Sequence, residues 1–150
     1  MDTTTLFSLA GRTALVTGGS RGIGRAVALA LAAEGCRLHL ASRGQADLER
    51  TRDEIVRAHG VTVDVHALDL GDGDALRVLA GSLGAVDILV NNAGAIPGGR
   101  IDQIDDATWK KAWDLKVFGT IGLCREMLAA MPARGPGVLG NVLGTPGCLF

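Results

Sequence analysis

The sequence contains no tyrosine, two tryptophans and three phenylalanines, so its core must be built from aliphatic side chains rather than rings. Cysteine is equally sparse. Cys36, Cys124 and Cys148 are odd in number and far apart, with no C-x-x-C spacing, which argues against a disulfide framework or a zinc site and suits a reducing cytoplasm. His39, His59 and His66 show no ligand spacing either, so they are read as structural and no metal is expected. No apolar run approaches the roughly 20 residues that a spanning helix needs. The start, MDTTTLFSLAGR, has no cationic segment ahead of an apolar one, so neither a membrane segment nor a signal peptide is expected. The net charge is -1, from 15 basic and 16 acidic residues, and no basic block stands ready to neutralise a run of phosphates. Nucleic acid and membrane are therefore not expected partners.

What is present is glycine, at 22 of 150 residues, and a hydrophobic fraction of 47%, which suits one globular α/β domain over residues 1–150. Five short aliphatic runs read as parallel strands covered on both faces: 13–17 (TALVT), 37–42 (RLHLAS), 61–68 (VTVDVHAL), 86–90 (VDILV) and 137–143 (GVLGNVL). Helical spacing fills the gaps between them. Ile23, Val27, Ala30 and Leu31 mark a first helix, and Leu48, Thr51, Ile55 and Ala58 a second. Leu76, Leu79, Ala80 and Leu83 mark a third. Trp113, Val117, Ile121, Cys124 and Leu128 mark a long fourth. Strict alternation of strand and helix predicts right-handed crossovers and a doubly wound parallel sheet.

The segment TGGSRGIG (17–24) follows the first strand and opens the first helix. Gly18 suits a tight turn, Gly22 a close approach of backbone N–H groups to a pyrophosphate, and Gly24 close packing of helix on sheet. The helix N-terminus then offers free N–H groups and a positive dipole end to the anion. Ser20, Arg21 and Ile23 share this loop and are expected beside the same ligand.

TGGSRGIG resembles the TGxxxGxG segment of the short-chain dehydrogenase/reductase family, and NNAG (91–94) stands after the fourth strand where that family keeps the same letters. With LDL (68–70) between them, the resemblance runs from about Arg12 to the last residues. It implies a Rossmann fold with strand order 3-2-1-4-5 and a hydride transfer between a nicotinamide cofactor and a carbonyl or alcohol. It also implies roles. Asp69 would receive the adenine amino group with Leu70 packing nearby, while Asn91, Ala93 and Gly94 would line the cofactor and steady the central strands. Taken singly, Asp69 also suits a turn or a helix cap, and Asn91 and Asn92 suit a turn.

The end of the second strand, HLASRG, lacks the acid that would hold the 2′-hydroxyl of NAD. Ser42 and Arg43 stand there instead, and Arg21 lies in the glycine loop, so two guanidinium groups could pair with a 2′-phosphate. NADP(H) is accordingly expected over NAD(H).

The family's chemistry rests on an Asn in the long fourth helix, a Ser after the fifth strand, and a Tyr and Lys one turn apart in the next helix. This chain has no tyrosine, so the Tyr-x-x-x-Lys pair maps onto no residue here. The Asn position falls on Lys116 in WDLKVFGT, and the Ser position falls on Gly144, with Thr145 the next hydroxyl. A lysine at 116 could donate to a substrate oxygen or hold a relay water; a solvated helix charge is the plain alternative. The resemblance further implies that two strands and two helices follow the fifth strand, so the chain is expected to be cut short of its catalytic helix. Three readings stand side by side: the NADP(H)-binding portion of an oxidoreductase without turnover, a catalytically silent dinucleotide-binding or sensor module, and a gene fragment without function. A homo-oligomer is expected for the complete protein.

Overall fold

The computed structural model describes residues 8–94, 96–131 and 137–143. Five parallel strands lie in the order β3-β2-β1-β4-β5: β1 Thr13–Thr17, β2 Arg37–Ser42, β3 Val63–Ala67, β4 Ile88–Asn91 and β5 Val138–Asn141. This is the expected order, with β1 and β2 at the expected residues and the ends of the other three strands shifted by one or two. β1 is the centre, and all five of its residues are buried. Its side chains alternate between two cores. Ala14 and Val16 join Leu38, Leu40, Leu48 and Ile55 on one face, while Leu15 joins Leu89, Leu123 and Met127 on the other.

The first face is covered by α1 Gly22–Ala33 and α2 Gln45–His59; the second by α3 Gly73–Ser82 and by a long helical run after β4. Burying both faces of a parallel sheet explains why its strands read as continuous aliphatic runs. Local signals set the ends of the helices. Asp72 caps α3 by accepting from the N–H groups of Asp74 and Ala75 at 2.9 and 3.3 Å, and Gly60 ends α2 with a left-handed φ of 68°.

The expected fourth helix is not uniform. It consists of α4 Asp106–Trp113, a π-helical segment Asp114–Gly119, and α5 Thr120–Ala130, with a 3₁₀ turn Ile101–Gln103 ahead of it. The π segment carries Lys116 and sets the backbone of Gly119 so close to the Leu70 carbonyl that a β-carbon there would lie 2.6 Å from the oxygen. Periodicity alone does not signal this break, because one added residue in a single turn leaves the apolar spacing of the run legible as helix.

Strand order reverses between β1 and β4, since the chain runs outward through β2 and β3 on one side and through β5 on the other. In open parallel sheets the crevice beyond the carboxyl ends of the strands at such a point is where a ligand fits.

Candidate functional site

The loop after β1 and the loop after β4 are tied together across that point. Thr17 Oγ1 accepts from the backbone N–H groups of Asn92 and Ala93, each at 2.9 Å, and the Asn92 side chain donates to the carbonyls of Thr17 and Gly18 at 3.1 and 3.3 Å. Gly18 has φ +65°, and a β-carbon on it would lie 2.7 Å from Asn92 Nδ2. Only glycine satisfies both demands. Gly24 packs beneath the same turn, where a β-carbon would strike the Gly18 carbonyl oxygen. From the other side Thr51 of α2 donates to the Ser20 carbonyl at 3.1 Å, and Arg25 of α1 forms a two-pronged ion pair with Glu54.

These contacts shape a cleft of about 440 Å³ over the carboxyl ends of β1, β2 and β4. Nine of the expected cofactor residues line it: Gly18, Ser20, Arg21 and Ile23 from the glycine loop, Ser42 and Arg43 from the end of β2, Leu70, and Ala93 with Gly94. Four others do not. Gly22 opens α1 with φ +55° and open space where a β-carbon would stand, and Gly24 lies below the turn. Asp69 is exposed, accepts from Gly71 N–H at 3.0 Å, and lines an adjoining cavity of about 410 Å³ that shares Arg43 and Leu115 with the cleft. Asn91 is buried inside the sheet, where its side chain donates to Asn141 Oδ1 of β5 at 3.0 Å and to Cys124 Sγ at 3.3 Å. It steadies the strands and does not line the cleft.

Sequence reasoning missed Thr17, Asn92, Asp47 and Leu115. A threonine closing TALVT directly before the glycine loop, and the doubled Asn of NNAG, are the signals that could have exposed the first two. Asp47 and Leu115 reach the cleft from a helix turn and from the π segment, and no local pattern marks them.

Two features are compatible with a phosphorylated ligand. The first turn of α1 has no side-chain cap, so its N–H groups are open to an anion, with Arg21 at the N-cap. The Ser42 hydroxyl is buried and has no hydrogen-bond partner among the described residues, although its residue lines the cleft.

Lys116 is not a solvated helix charge. It is half-buried, and its ammonium donates to the Val142 carbonyl at 2.8 Å, just beyond β5. Its stem lies against Gly94, so a β-carbon at 94 would lie 2.5 Å from Lys116 Cδ. Gly144 and Thr145 lie outside the described residues, as does Cys148.

Other reactive groups stand apart from the cleft. Burial, reinforced by the Asp87 carboxylate, pushes the Cys36 thiol up to about 11, so it is a buried packing residue rather than a nucleophile. Among the described residues no three His, Cys, Asp or Glu side chains are grouped to hold a metal ion, and no helix is long and apolar enough to cross a membrane.

The sequence profile described as short chain dehydrogenase matches residues 12–147. Galactitol 2-dehydrogenase (L-tagatose-forming) of Cereibacter sphaeroides is 36% identical over 148 residues, covering 97% of this chain and 58% of that protein. Human L-xylulose reductase is 36% identical over 135 residues, covering 89% of this chain and 53% of its own length. The chain thus spans about half the length of the curated relatives it matches. Among solved structures, L-sorbose reductase from Gluconobacter frateurii, complexed with NADPH and L-sorbose, is similar with a TM-score of 0.83 and 32% identity, covering 89% of this chain and 52% of that one. A metagenomic short-chain oxidoreductase in complex with NADP gives a TM-score of 0.85 and 35% identity, covering 93% and 64%. With the matched profile, the 3-2-1-4-5 parallel sheet and the glycine-rich cleft in agreement, the chain belongs to the short chain dehydrogenase family of nicotinamide-dependent oxidoreductases.

Proposed function

We propose that this chain is the NADP(H)-binding portion of a short-chain oxidoreductase acting on a carbonyl/alcohol pair, and that by itself it does not turn over. The observation that carries the reading is the uncapped N-terminus of α1, which opens into a cleft flanked by Arg21, Arg43 and the unpartnered Ser42 hydroxyl. The glycine loop and α1 would hold the pyrophosphate through backbone N–H groups. Ser42, Arg43 and Arg21 would hold the 2′-phosphate end, Asp69 and Leu70 the adenine, and Ala93 and Gly94 the second half of the dinucleotide. When bound, that cofactor supplies or accepts the hydride.

One observation pulls toward NAD(H). Asp47 lines the same cleft, although its carboxylate is already paired with Arg50. Two arginines against one paired acid keep the balance with the phosphorylated cofactor.

Among the described residues no proton-transfer site is complete. A substrate oxygen gathers charge as hydride arrives and needs a positioned donor, whose loss typically costs on the order of 10²- to 10⁴-fold in rate. There is no tyrosine to serve, and the Lys116 ammonium is engaged by Val142. Neither Lys116→Asn nor Gly144→Ser is expected to create ketone-dependent NADPH oxidation. Trp113, Phe118, Ile121 and Leu128 are exposed along the α4–α5 run, which supports self-association, and the three cysteines suit a cytoplasmic setting.

Calorimetric titration with NADPH and NADH tests the reading. NADPH is expected to bind more tightly, and Arg43→Asp to erase the difference. Equal affinities in the unmodified chain, or a preference untouched by Arg43→Asp, would sink the NADP(H) assignment.

A further inference from the structure

Lys116 is a charged group beside the β4–β5 side of the cleft whose task the dinucleotide reading leaves open. Its position is fixed twice: by the 2.8 Å hydrogen bond to the Val142 carbonyl and by the packing of its stem on Gly94. A β-carbon on Gly94 would lie only 3.1 Å from Nζ, and Gly94 itself lines the cleft, so the ammonium stands one backbone layer from the ligand space. Among the described residues no carboxylate pairs with it, and its ammonium donates to a neutral carbonyl. A fixed, uncompensated cation beside a partly enclosed cleft projects positive potential into it.

The phosphate-binding features all lie on the β1–β2 side: the α1 N-terminus, Arg21, Ser42 and Arg43. A dinucleotide anchored there extends its other half across the switch point, toward the ends of β4 and β5. That half ends in a ring that carries a formal positive charge when oxidised and none when reduced. The remainder of the cofactor is the same in both forms.

We propose that Lys116 is a specificity-determining residue that makes this cleft hold the reduced, neutral nicotinamide more tightly than the oxidised, cationic one. The proposal rests on the dinucleotide reading above and adds the redox form that the site prefers. Contacts from Arg21, Arg43 and the glycine loop act equally on both forms and cancel in the ratio of affinities, whereas the lysine charge does not. At an effective dielectric near 20, unit charges about 6 to 10 Å apart interact strongly enough to move such a ratio by roughly 10- to 100-fold.

The test is titration of NADPH and NADP⁺ separately into the chain and into Lys116→Met, Lys116→Gln and Lys116→Arg, with circular dichroism to select the variants that fold. The unmodified chain is expected to favour NADPH, the Met variant to lower the NADPH/NADP⁺ affinity ratio about tenfold, and the Arg variant to keep it. The Gln variant removes the charge while retaining an N–H donor, and gives the same reading where Met does not fold. A ratio unchanged in the neutral variants overturns the proposal, and so does a ratio that Arg shifts as far as Met does, since that assigns the effect to packing. Failure of the folded, unmodified chain to bind either form would overturn the dinucleotide reading itself. Binding with an unmoved ratio overturns only the role of Lys116.

Discussion

Thr17 accepts twice from Asn92: its hydroxyl accepts from the Asn92 backbone N–H at 2.9 Å, and its carbonyl accepts from the Asn92 side chain at 3.1 Å. The two loops that form the cleft therefore have one geometry rather than two. Thr17→Val keeps the shape of this fully buried side chain but orphans the N–H groups of Asn92 and Ala93. It is expected to cost about 1–3 kcal/mol for each donor left without a partner. It should also weaken cofactor binding, because Ala93 lines the cleft. Thermal unfolding and calorimetry check both, and Thr17→Ser should restore them; a Val variant as stable as the parent would refute the account.

Gly24→Ala is expected to be damaging where Gly81→Ala is beneficial. The first places a methyl against the Gly18 carbonyl and 2.5 Å from Asn92 Nδ2, so backbone must move, at a cost of about 1–3 kcal/mol or more together with lost affinity for the dinucleotide. The second adds a methyl with nothing within 4 Å, on an exposed turn of α3, and should gain roughly 0.5–1 kcal/mol from helix propensity. Melting temperatures moving in the same direction would contradict the packing argument.

Asp47→Asn should raise the preference for NADPH over NADH several-fold, since among the described residues it removes the one carboxylate on the wall that carries Arg21 and Arg43. Stability should change little, because the Asp47–Arg50 pair is largely exposed. A preference that falls would mean that the acid serves the ligand rather than opposing its phosphate.

His39 on β2 and His66 on β3 are 3.1 Å apart, Nδ1 to Nε2. Burial lowers the pKa of both; the His66 charge and Arg37 lower that of His39 further, while Asp64 opposes the shift in each. Because the folded values lie below the ordinary 6.5 or so of an unfolded chain, the folded state binds fewer protons in the window between them. Their contribution to stability is thus complete above about pH 6.5 and is lost as pH falls toward the folded values. Urea midpoints measured from pH 7.5 downward should decline, and His66→Gln should flatten that decline. A profile unaltered by the substitution would show that the pair does not set it.

The alternation of aliphatic strands with amphipathic helices determined the sheet without help. β1 lies between two crossovers, and a strand buried on both faces must be apolar throughout, as Thr13–Thr17 nearly is. The glycine loop was equally legible. Gly18 and Gly24 are demanded by a positive φ and by close approaches, and those constraints admit a single residue type. What the sequence could not disclose are relations between segments distant along the chain. Asn91 looks like a loop residue in NNAG yet faces Asn141, fifty positions on, because β4 and β5 pair in register there. Lys116 looks like a solvated helix residue, yet a π segment turns it onto Gly94 and the Val142 carbonyl. Asp47 enters the cleft only because α2 begins beside the glycine loop. Periodicity is a local property that a residue's neighbours in sequence enforce. The direction of a polar side chain is decided by whichever distant backbone group satisfies it, and that partner exists only once the sheet has formed.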